Sequence, residues 1–263
     1  MREGGSLPAV VDTDGGGLFV VKFRGAGQGA KALIAELIVG LLAREAGLTT
    51  PELALIHVPP PFGRGEPDPE IQDILRASHG VNVGLRYLDG AFNFDVTAAG
   101  DLVSTDFATR LVWLDALVTN PDRTHRNPNL LIWERRPWLI DHGSALYAHH
   151  NWQTVDETNG RAPFPRIREH VLLERSGDLR SMDAELATIF TAELLQAILE
   201  QVPEALLLDP VRPVEFASAV EARQRYLDYL ITRLRAPRTF IAAAEEAREQ
   251  LRRTPPRRLM ARR

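Results

Sequence analysis

The densest group of chemically capable side chains lies in one loop and at the end of the strand that follows it. The loop, Asn120–Asn129 (NPDRTHRNPN), stands between a strongly apolar helix and a short hairpin, and loops held by rigid elements are where proteins place reactive groups. The hairpin returns the chain to Asp141, which ends an apolar strand in LIDHG. Asp122, Asn127 and Asp141 are therefore expected to lie close together. Two carboxylates and one amide offer the hard oxygen atoms that Mg²⁺ prefers.

Positive charge in this chain is carried almost entirely by arginine. Lys22 and Lys31 are the two lysines among 31 basic residues, so 29 are arginines. A lysine kept against this bias indicates a site that needs a compact ammonium rather than a planar guanidinium. Lys31 opens a polar helix end and is expected to be a solvated surface charge. Lys22 lies inside an apolar run (LFVVKF) and is the candidate site residue.

The elements that must hold these residues begin with a hairpin and a helix. Pro8–Asp12 and Leu18–Phe23 are β-rich runs on either side of a glycine-rich turn, which places Lys22 on a strand. The segment KALIAELIVGLLAREAG that follows predicts a helix. Its apolar stripe leaves Glu36 on the opposite side between two small residues, so another backbone can approach that carboxylate.

Farther along the chain, two more strands precede a mainly helical region. Leu53–Val58 and His79–Leu88 are predicted strands, and the stretch between them that begins PPPFGRGEPDPE is predicted to be a solvated loop. Asp89-Gly90 is the predicted boundary between the two regions. The later predicted elements are, in chain order, helix Asp106–Thr119, strands Asn129–Trp133 and Pro137–Ile140, and helices Ala184–Glu200 and Val214–Leu234.

Composition excludes several classes of protein. With 263 residues and 44% apolar side chains, the chain can fill the core of one large domain or of two lobes. A net charge of −4 argues against direct nucleic-acid binding. The absence of cysteine excludes a disulfide scaffold and a thiolate zinc site. The sequence has neither a signal core nor a long apolar run, so we expect no membrane segment and a cytoplasmic protein.

The carboxyl end differs in character from the rest of the chain. From Arg248 to Arg263 there are seven arginines and one glutamate, which gives a formal charge of +6. We expect a solvated and partly frayed tail, with recruitment of an acidic partner as the alternative.

Four motifs occur in the order in which protein kinases carry them. VVKF, a glutamate on the next helix, D-x4-N and I-D-H-G correspond to the kinase lysine strand, the helix-C glutamate, the catalytic loop and the metal-binding turn. The wording NPDRTHRNPNLL followed by WLIDHG is more similar to the HipA-like kinase family than to ordinary protein kinases. This resemblance covers roughly residues 4–235.

The resemblance implies an α+β, two-lobed protein-kinase-like fold. A small β-rich amino-terminal lobe would span residues 1–90, a larger and mostly helical lobe would span 91–235, and a carboxyl-terminal helix with a basic tail would complete the chain over 236–263. In the same resemblance Lys22 would bind the nucleotide phosphates, with Glu36 as its ion-pair partner.

The resemblance also assigns the chemistry of the larger lobe. Asp122 would accept the proton of the attacking hydroxyl, and Asn127 and Asp141 would hold Mg²⁺ across the phosphates of ATP. Arg123 and His125 would assist at the transferring phosphoryl group.

Two nucleotide contacts are less sharply assigned. No G-x-G-x-x-G precedes Lys22, so phosphate wrapping falls to Gly4-Gly5-Ser6 or to no glycine loop at all. The expected hinge between the lobes consists of Arg86, Tyr87, Leu88 and Asp89. Its backbone groups would contact adenine.

The expected activity is ATP- and Mg²⁺-dependent transfer of the γ-phosphoryl group to a hydroxyl acceptor, with a serine or threonine of a protein among the candidates. One alternative is a kinase for a small molecule such as a sugar, a choline-like compound or an antibiotic. A second is a nucleotide-binding pseudokinase or scaffold, against which the intact set Lys22, Asp122, Asn127 and Asp141 argues.

Overall fold

The computed structural model describes residues 7–209 and 214–253. Four antiparallel strands form one sheet in the order β1-β2-β4-β3, and three short strands form a second sheet in the order β5-β6-β7. The strands are β1 Ala9–Asp12, β2 Leu18–Lys22, β3 Leu53–Val58, β4 Gly80–Arg86, β5 Phe92–Asn93, β6 Leu130–Trp133 and β7 Arg136–Leu139.

Helices make up most of the remainder. They are α1 Ala30–Glu45, α2 Pro69–Ala77, α3 Val96–Ala99, α4 Thr105–Leu117, α5 Glu157–Gly160, α6 Leu179–Ile189, α7 Ala192–Glu200, α8 Glu204–Leu207, α9 Ala219–Leu234 and α10 Thr239–Arg253. A small antiparallel sheet followed by a mostly helical region confirms the predicted α+β class, with a small β-rich part and a larger helical part.

One face of the four-stranded sheet is covered by the segment that the sequence predicted to be a solvated loop. Phe62 packs 6.2 Å from Phe23, between ring centroids, and belongs to a separate small core under the sheet. The prediction also missed α2, which begins where the Asp68 side chain accepts the backbone N–H groups of Glu70 and Ile71. Asp68 followed by Pro69 was a helix-start signal within an otherwise loop-like composition.

Helix α1 lies between the sheet and the helical lobe, and it is buried on nearly all sides. Leu33, Ile38 and Leu42 are each at most 1% exposed, and Gly40 lets Leu53 of β3 pack directly against the helix. The single apolar stripe predicted from the sequence therefore understates its burial. Glu36, on the side expected to be polar, is 0% exposed.

The helical lobe is built around α4. Trp113 on this helix stacks on Phe190 at 5.5 Å and meets Phe240 edge-on at 5.8 Å, measured between ring centroids. The predicted helix Ala184–Glu200 is two helices, because α6 ends at Ile189 and Thr191 caps α7 by accepting the N–H of Leu194.

The segment between Ser144 and Arg168 is anchored to α9 through its backbone. Arg225 donates to the carbonyls of Trp152 and Val155 at 2.8 and 2.6 Å. Arg233 donates to the carbonyls of Gly160 and Ala162 at 3.0 and 3.1 Å, and these further bonds continue the same anchor along the segment.

The carboxyl-terminal helix corrects the prediction of a solvated tail that starts at Arg248. Helix α10 continues to Arg253, and Arg248 is buried, 2.6 Å from the carboxylate of Glu245 and within 3.3 Å of the Ser176 carbonyl. The last arginines of the tail lie outside the described residues, so an acidic partner for them stays a prediction. Across residues 7–209 and 214–253, no helix has the length and apolarity that crossing a membrane requires.

Candidate active site

Lys22 stands at the end of β2 between two carboxylates. Its Nζ lies 2.6 Å from Glu36 Oε2 on α1 and 2.6 Å from Asp141 Oδ1. Burial acts to lower the pKa of Lys22, but the two carboxylates outweigh that effect and hold the pKa above its ordinary value. The lysine is therefore a fixed positive charge that joins the small lobe to the turn carrying Asp141.

Glu36 ties the same turn to α1. Its Oε2 also accepts the backbone N–H of His142 at 2.7 Å, and Gly143 lies against Ala32 one turn earlier on the helix. The approach of another backbone to this carboxylate, predicted from the small residues around it, is confirmed. A Cβ added at Gly143 would lie 3.4 Å from Ala32 Cβ, so the turn and the helix are already in van der Waals contact at these two small residues.

Asp141 has an unusual backbone conformation and an accessible side chain. Its φ of 57° lies in the left-handed region, which few residues other than glycine adopt. Its side chain is 38% exposed, so the carboxylate still reaches solvent in the cleft. Burial acts to raise the pKa of Asp141, but Lys22 outweighs it and holds the pKa below the usual range.

Asp122 is oriented by two neighbouring amides. Asp122 Oδ2 accepts from Asn127 Nδ2 at 2.9 Å and from Asn129 Nδ2 at 3.2 Å. Because a carboxylate accepts only from the NH₂ end of an amide, Asn127 Oδ1 is the oxygen left to act as a ligand or acceptor. The sequence identified Asp122 and Asn127, but Asn129 was interpreted there as a strand-entry residue only.

These side chains line one cleft of about 270 Å³. The lining residues are Lys22, Phe23, Ala26, Gly27, Gln28, Ala32, Leu33, Asp122, Asn127, Asp141, Gly143 and Ser144. The structure thus brings together Lys22, Asp122, Asn127 and Asp141, which the sequence places up to 119 residues apart.

Part of this lining was missed at the level of sequence. Residues 25–29 (GAGQG) follow the lysine strand, and Gly27 and Gly29 have φ values of 56° and 70°. The signal was a glycine-rich stretch after Lys22, whereas the kinase pattern directs attention to glycines before it. Gly4-Gly5-Ser6, the segment considered for phosphate wrapping, lies outside the described residues.

Arg123 requires a correction, since it is not placed to assist at a transferring phosphoryl group. Its side chain is 0% exposed, and its Nε lies 2.6 Å from Asp115 Oδ2 on α4. Its NH2 group lies 3.2 Å from His142 Nδ1. Burial lowers the pKa of His142 to about 4, so the ring is neutral and its Nδ1 accepts from the guanidinium.

Two other residues singled out from the sequence, His125 and Lys31, do not belong to the lining of the cleft. His125 is exposed and does not belong to the cleft lining formed by the described residues. Lys31, expected to be a solvated charge, donates to the His149 carbonyl and lies 2.8 Å from Glu215 Oε2.

The predicted hinge residues join β4 to β5. The Tyr87 N–H donates to the Leu18 carbonyl at 2.9 Å, and the Asp89 carbonyl accepts from Trp133 Nε1 at 2.8 Å. Leu88 is buried, and the Arg86 guanidinium pairs with Glu52 at 2.8 Å. Those two backbone groups of Tyr87 and Asp89 are therefore already engaged within the protein.

The chain is similar to known proteins in its sequence pattern and in its fold. A protein-family model described as HipA-like kinase matches residues 1–209. The fold is similar to the crystal structure of a Helicobacter pylori proinflammatory kinase, CtkA, with a TM-score of 0.54 and 13% sequence identity over 96% of this chain and 94% of that one. At this identity the likeness concerns the fold alone. The comparison with curated proteins finds no match.

Proposed function

Because the chain belongs to the HipA-like kinase family, we propose that it transfers the γ-phosphoryl group of ATP, with Mg²⁺, to a hydroxyl acceptor. The acceptor class to be tested first is a serine or threonine of a protein. The observation that carries the proposal is the contact of Lys22 with both Glu36 and Asp141 in the cleft that Asp122 and Asn127 also line. Phosphoryl transfer depends mainly on positioning and charge neutralisation, which this cluster supplies.

The oxygen donors in the cleft fit a magnesium ion bound together with phosphates. Asp141 offers a carboxylate that is 38% exposed, and Asn127 offers its Oδ1. Mg²⁺ prefers one or two protein carboxylates or amides and completes its shell with water and substrate phosphates. When bound, it would neutralise charge on the β- and γ-phosphates.

The apolar side chains near Lys22 fit a nucleobase. Leu18, Val20 and Lys22 alternate on β2 and so share one face of the sheet. Val10 is opposite Val20 in register and shares that face. Val10 and Leu18 are 55% and 43% exposed, so two apolar side chains stand uncovered on the lysine side. A flat, apolar ring such as adenine would cover them.

The chemistry assigned to the chain itself is proton removal and positioning. The acceptor hydroxyl would attack the γ-phosphorus, its proton would pass to Asp122, and the bond to the β-phosphate oxygen would break to release ADP. The amides of Asn127 and Asn129 hold Asp122 Oδ2, so Oδ1 is assigned to the hydroxyl. Lys22 would hold the phosphates in line for this displacement.

A pair of isosteric substitutions tests the proposal, because the two acids have different tasks. Asp141→Asn removes an anionic metal ligand, so stabilisation of the protein by ATP with Mg²⁺ should shrink in a thermal-shift titration. Asp122→Asn should keep most of that stabilisation while phosphoryl transfer from radiolabelled ATP falls about a hundredfold or more. Asp73→Asn on the exposed surface of α2 is the matched control and should change neither readout.

The acceptor fraction separates the remaining alternatives. Label in a protein fraction supports a protein kinase, whereas label in a metabolite fraction supports a small-molecule kinase. Stabilisation by ATP and Mg²⁺ without transfer to either fraction, and without effect of Asp122→Asn, would support a nucleotide-binding scaffold. If ATP with Mg²⁺ does not stabilise the wild-type protein, the proposal is wrong.

A further inference from the structure

Arg123 lies in the middle of the catalytic loop but points away from the cleft into the protein. Its NH1 group donates to the Asn129 carbonyl and lies 3.5 Å from the Ile140 carbonyl, and its NH2 group lies 3.2 Å from His142 Nδ1. One planar guanidinium therefore contacts the end of the catalytic loop and both neighbours of Asp141. A single ammonium could not make these contacts together.

The backbone that Arg123 contacts is strained. Asn129 and Asp141 have φ values of 49° and 57°, and such left-handed residues persist only where the surroundings hold them in place. The Ile140 N–H donates to the Asn129 carbonyl at 3.1 Å, so Asn129 is joined across the hairpin to the residue that precedes Asp141. Arg123 contacts that same carbonyl and thus supports both of them at once.

Asp115 anchors the guanidinium from α4. Its side chain is 0% exposed, and its Oδ2 accepts from Arg123 Nε at 2.6 Å and lies 3.0 Å from His170 Nε2. His170 Nδ1 accepts the Leu172 N–H, so the ring proton is on Nε2 and is donated to Asp115. Asn120 Nδ2 donates to Asp115 Oδ1 at 3.0 Å. The position of Arg123 is therefore fixed by a helix and by a carboxylate that accepts three hydrogen bonds.

We propose that Arg123 is a positioning residue for the divalent cation: clamped by Asp115, it holds Asp141 and the end of the catalytic loop in the geometry that binds the metal. The inference rests on the proposed function, because it assigns metal binding to Asp141. It extends that function to a buried residue that touches neither the nucleotide nor the metal. Groups outside the ligand shell that orient ligands commonly change metal affinity 10- to 100-fold when replaced.

Arg123→Lys tests the inference, because it keeps a positive charge beside Asp115 but loses the fork. The Mg²⁺ concentration that gives half of the ATP-dependent thermal stabilisation should rise about tenfold or more, and the Mg²⁺ dependence of phosphoryl transfer should shift in parallel. At saturating Mg²⁺ the KM for ATP should change little. Arg248→Lys is the matched control, since Arg248 is also buried, pairs with a carboxylate and donates to backbone carbonyls. It should lower the melting temperature without moving the Mg²⁺ midpoint.

Arg123 would be a purely structural residue if Arg123→Lys lowered the melting temperature and left the Mg²⁺ midpoint at the wild-type value. If Arg123→Lys does not fold, His142→Leu removes one acceptor of the guanidinium and His142→Gln retains one. The leucine variant should then raise the midpoint and the glutamine variant should restore it, and equal midpoints overturn the inference. Absence of any stabilisation of the wild-type protein by ATP with Mg²⁺ contradicts the proposed function, and the inference fails with it.

Discussion

Lys22 is the residue on which the candidate site depends most. Its ammonium contacts Glu36 and Asp141 at 2.6 Å each, in a position that leaves the residue 9% exposed. A guanidinium is wider and planar and presents its donors in a fixed fork, so it cannot replace a compact charge between two carboxylates on different elements. The preference of this chain for arginine elsewhere makes that requirement visible.

Lys22→Arg should therefore abolish most of the activity while keeping the charge. We expect phosphoryl transfer from ATP to fall at least about a hundredfold, the size of effect that follows loss of a positioning contact. Lys31→Arg is the control, because Lys31 pairs with Glu215 outside the cleft and an arginine can make the same pair. Transfer rates of the two variants and the wild type decide the matter, and wild-type turnover in Lys22→Arg would remove the lysine from the mechanism.

Residue types and spacing predicted which side chains gather in the cleft, but not which way each side chain points. Lys22 was identified as a rare lysine inside an apolar run, and Asp141 as an acid that ends an apolar strand. Asp122 and Asn127 were identified as members of a polar loop that the hairpin brings close to Asp141. Arg123 was misjudged, because neighbouring polar residues in one loop can point to the cleft or to the interior. The buried partner Asp115, on α4, draws Arg123 to the interior.

The glycine-rich segment 25–29, between β2 and α1, forms part of the wall of the cleft. Gly25 is packed so tightly that an added Cβ would lie 2.4 Å from the Ile74 carbonyl and 2.9 Å from Ser78 Oγ. Its N–H donates to the same Ser78 hydroxyl at 2.9 Å. The position of α2, on the outer face of the sheet, therefore fixes the path of the segment that lines the site.

Gly25→Ala should disturb both stability and nucleotide binding. The backbone carbonyl of Ile74 cannot rotate aside as a side chain would, so overpacking should destabilise the protein by about 1–3 kcal/mol. Stabilisation by ATP with Mg²⁺ should shrink as well, because the displaced segment lines the cleft. Gly15→Ala in the hairpin turn is the control, since no atom lies within 4 Å of its added Cβ. Chemical denaturation and a nucleotide thermal shift measure the two effects, and a silent Gly25→Ala would contradict the packing described.

The periodicity of apolar residues predicted the long strands and helices, but not the short helix α2 or the break between α6 and α7. Strands β2 and β3 and helices α1 and α4 lie close to their predicted bounds. The sequence prediction missed helix α2 because glycine and proline dominate the composition of the segment before Asp68. The prediction also missed the break between α6 and α7, because no glycine or proline marks it. The break is marked by Thr191, which caps α7.

At the scale of the whole molecule, the carboxyl-terminal helix α10 connects several parts of the helical lobe. Arg248 on α10 pairs with Glu245 and reaches the Ser176 carbonyl, and Glu245 Oε1 accepts the Leu179 N–H at the start of α6. Helix α10 also supplies Phe240 to the aromatic core around Trp113. The basic end of the chain is thus, in its first part, a structural component of the helical lobe.

Truncation after Glu246 should therefore destabilise the whole protein. It leaves the buried Glu245 carboxylate without its arginine, and breaking a buried pair costs about 3–5 kcal/mol. For a chain of this size the melting temperature should fall by roughly 10 °C. Arg248→Ala should reproduce most of this fall, whereas Arg253→Ala, at a side chain that is 79% exposed, should have almost no effect. An unchanged melting temperature in the truncated protein would mean that this end of α10 does not stabilise the lobe.

The anchoring of residues 144–168 has a consequence for how this protein can evolve. Arg225 and Arg233 hold the segment by the carbonyls of Trp152, Val155, Gly160 and Ala162, and every amino acid supplies a carbonyl. Exposed positions between the anchors, such as Gln153 and Thr158, can therefore change without loosening the attachment. The exposed side chains of this segment can vary while Arg225 and Arg233 keep its backbone in place. Recognition of new molecules can therefore be selected on this surface at little cost in folding stability.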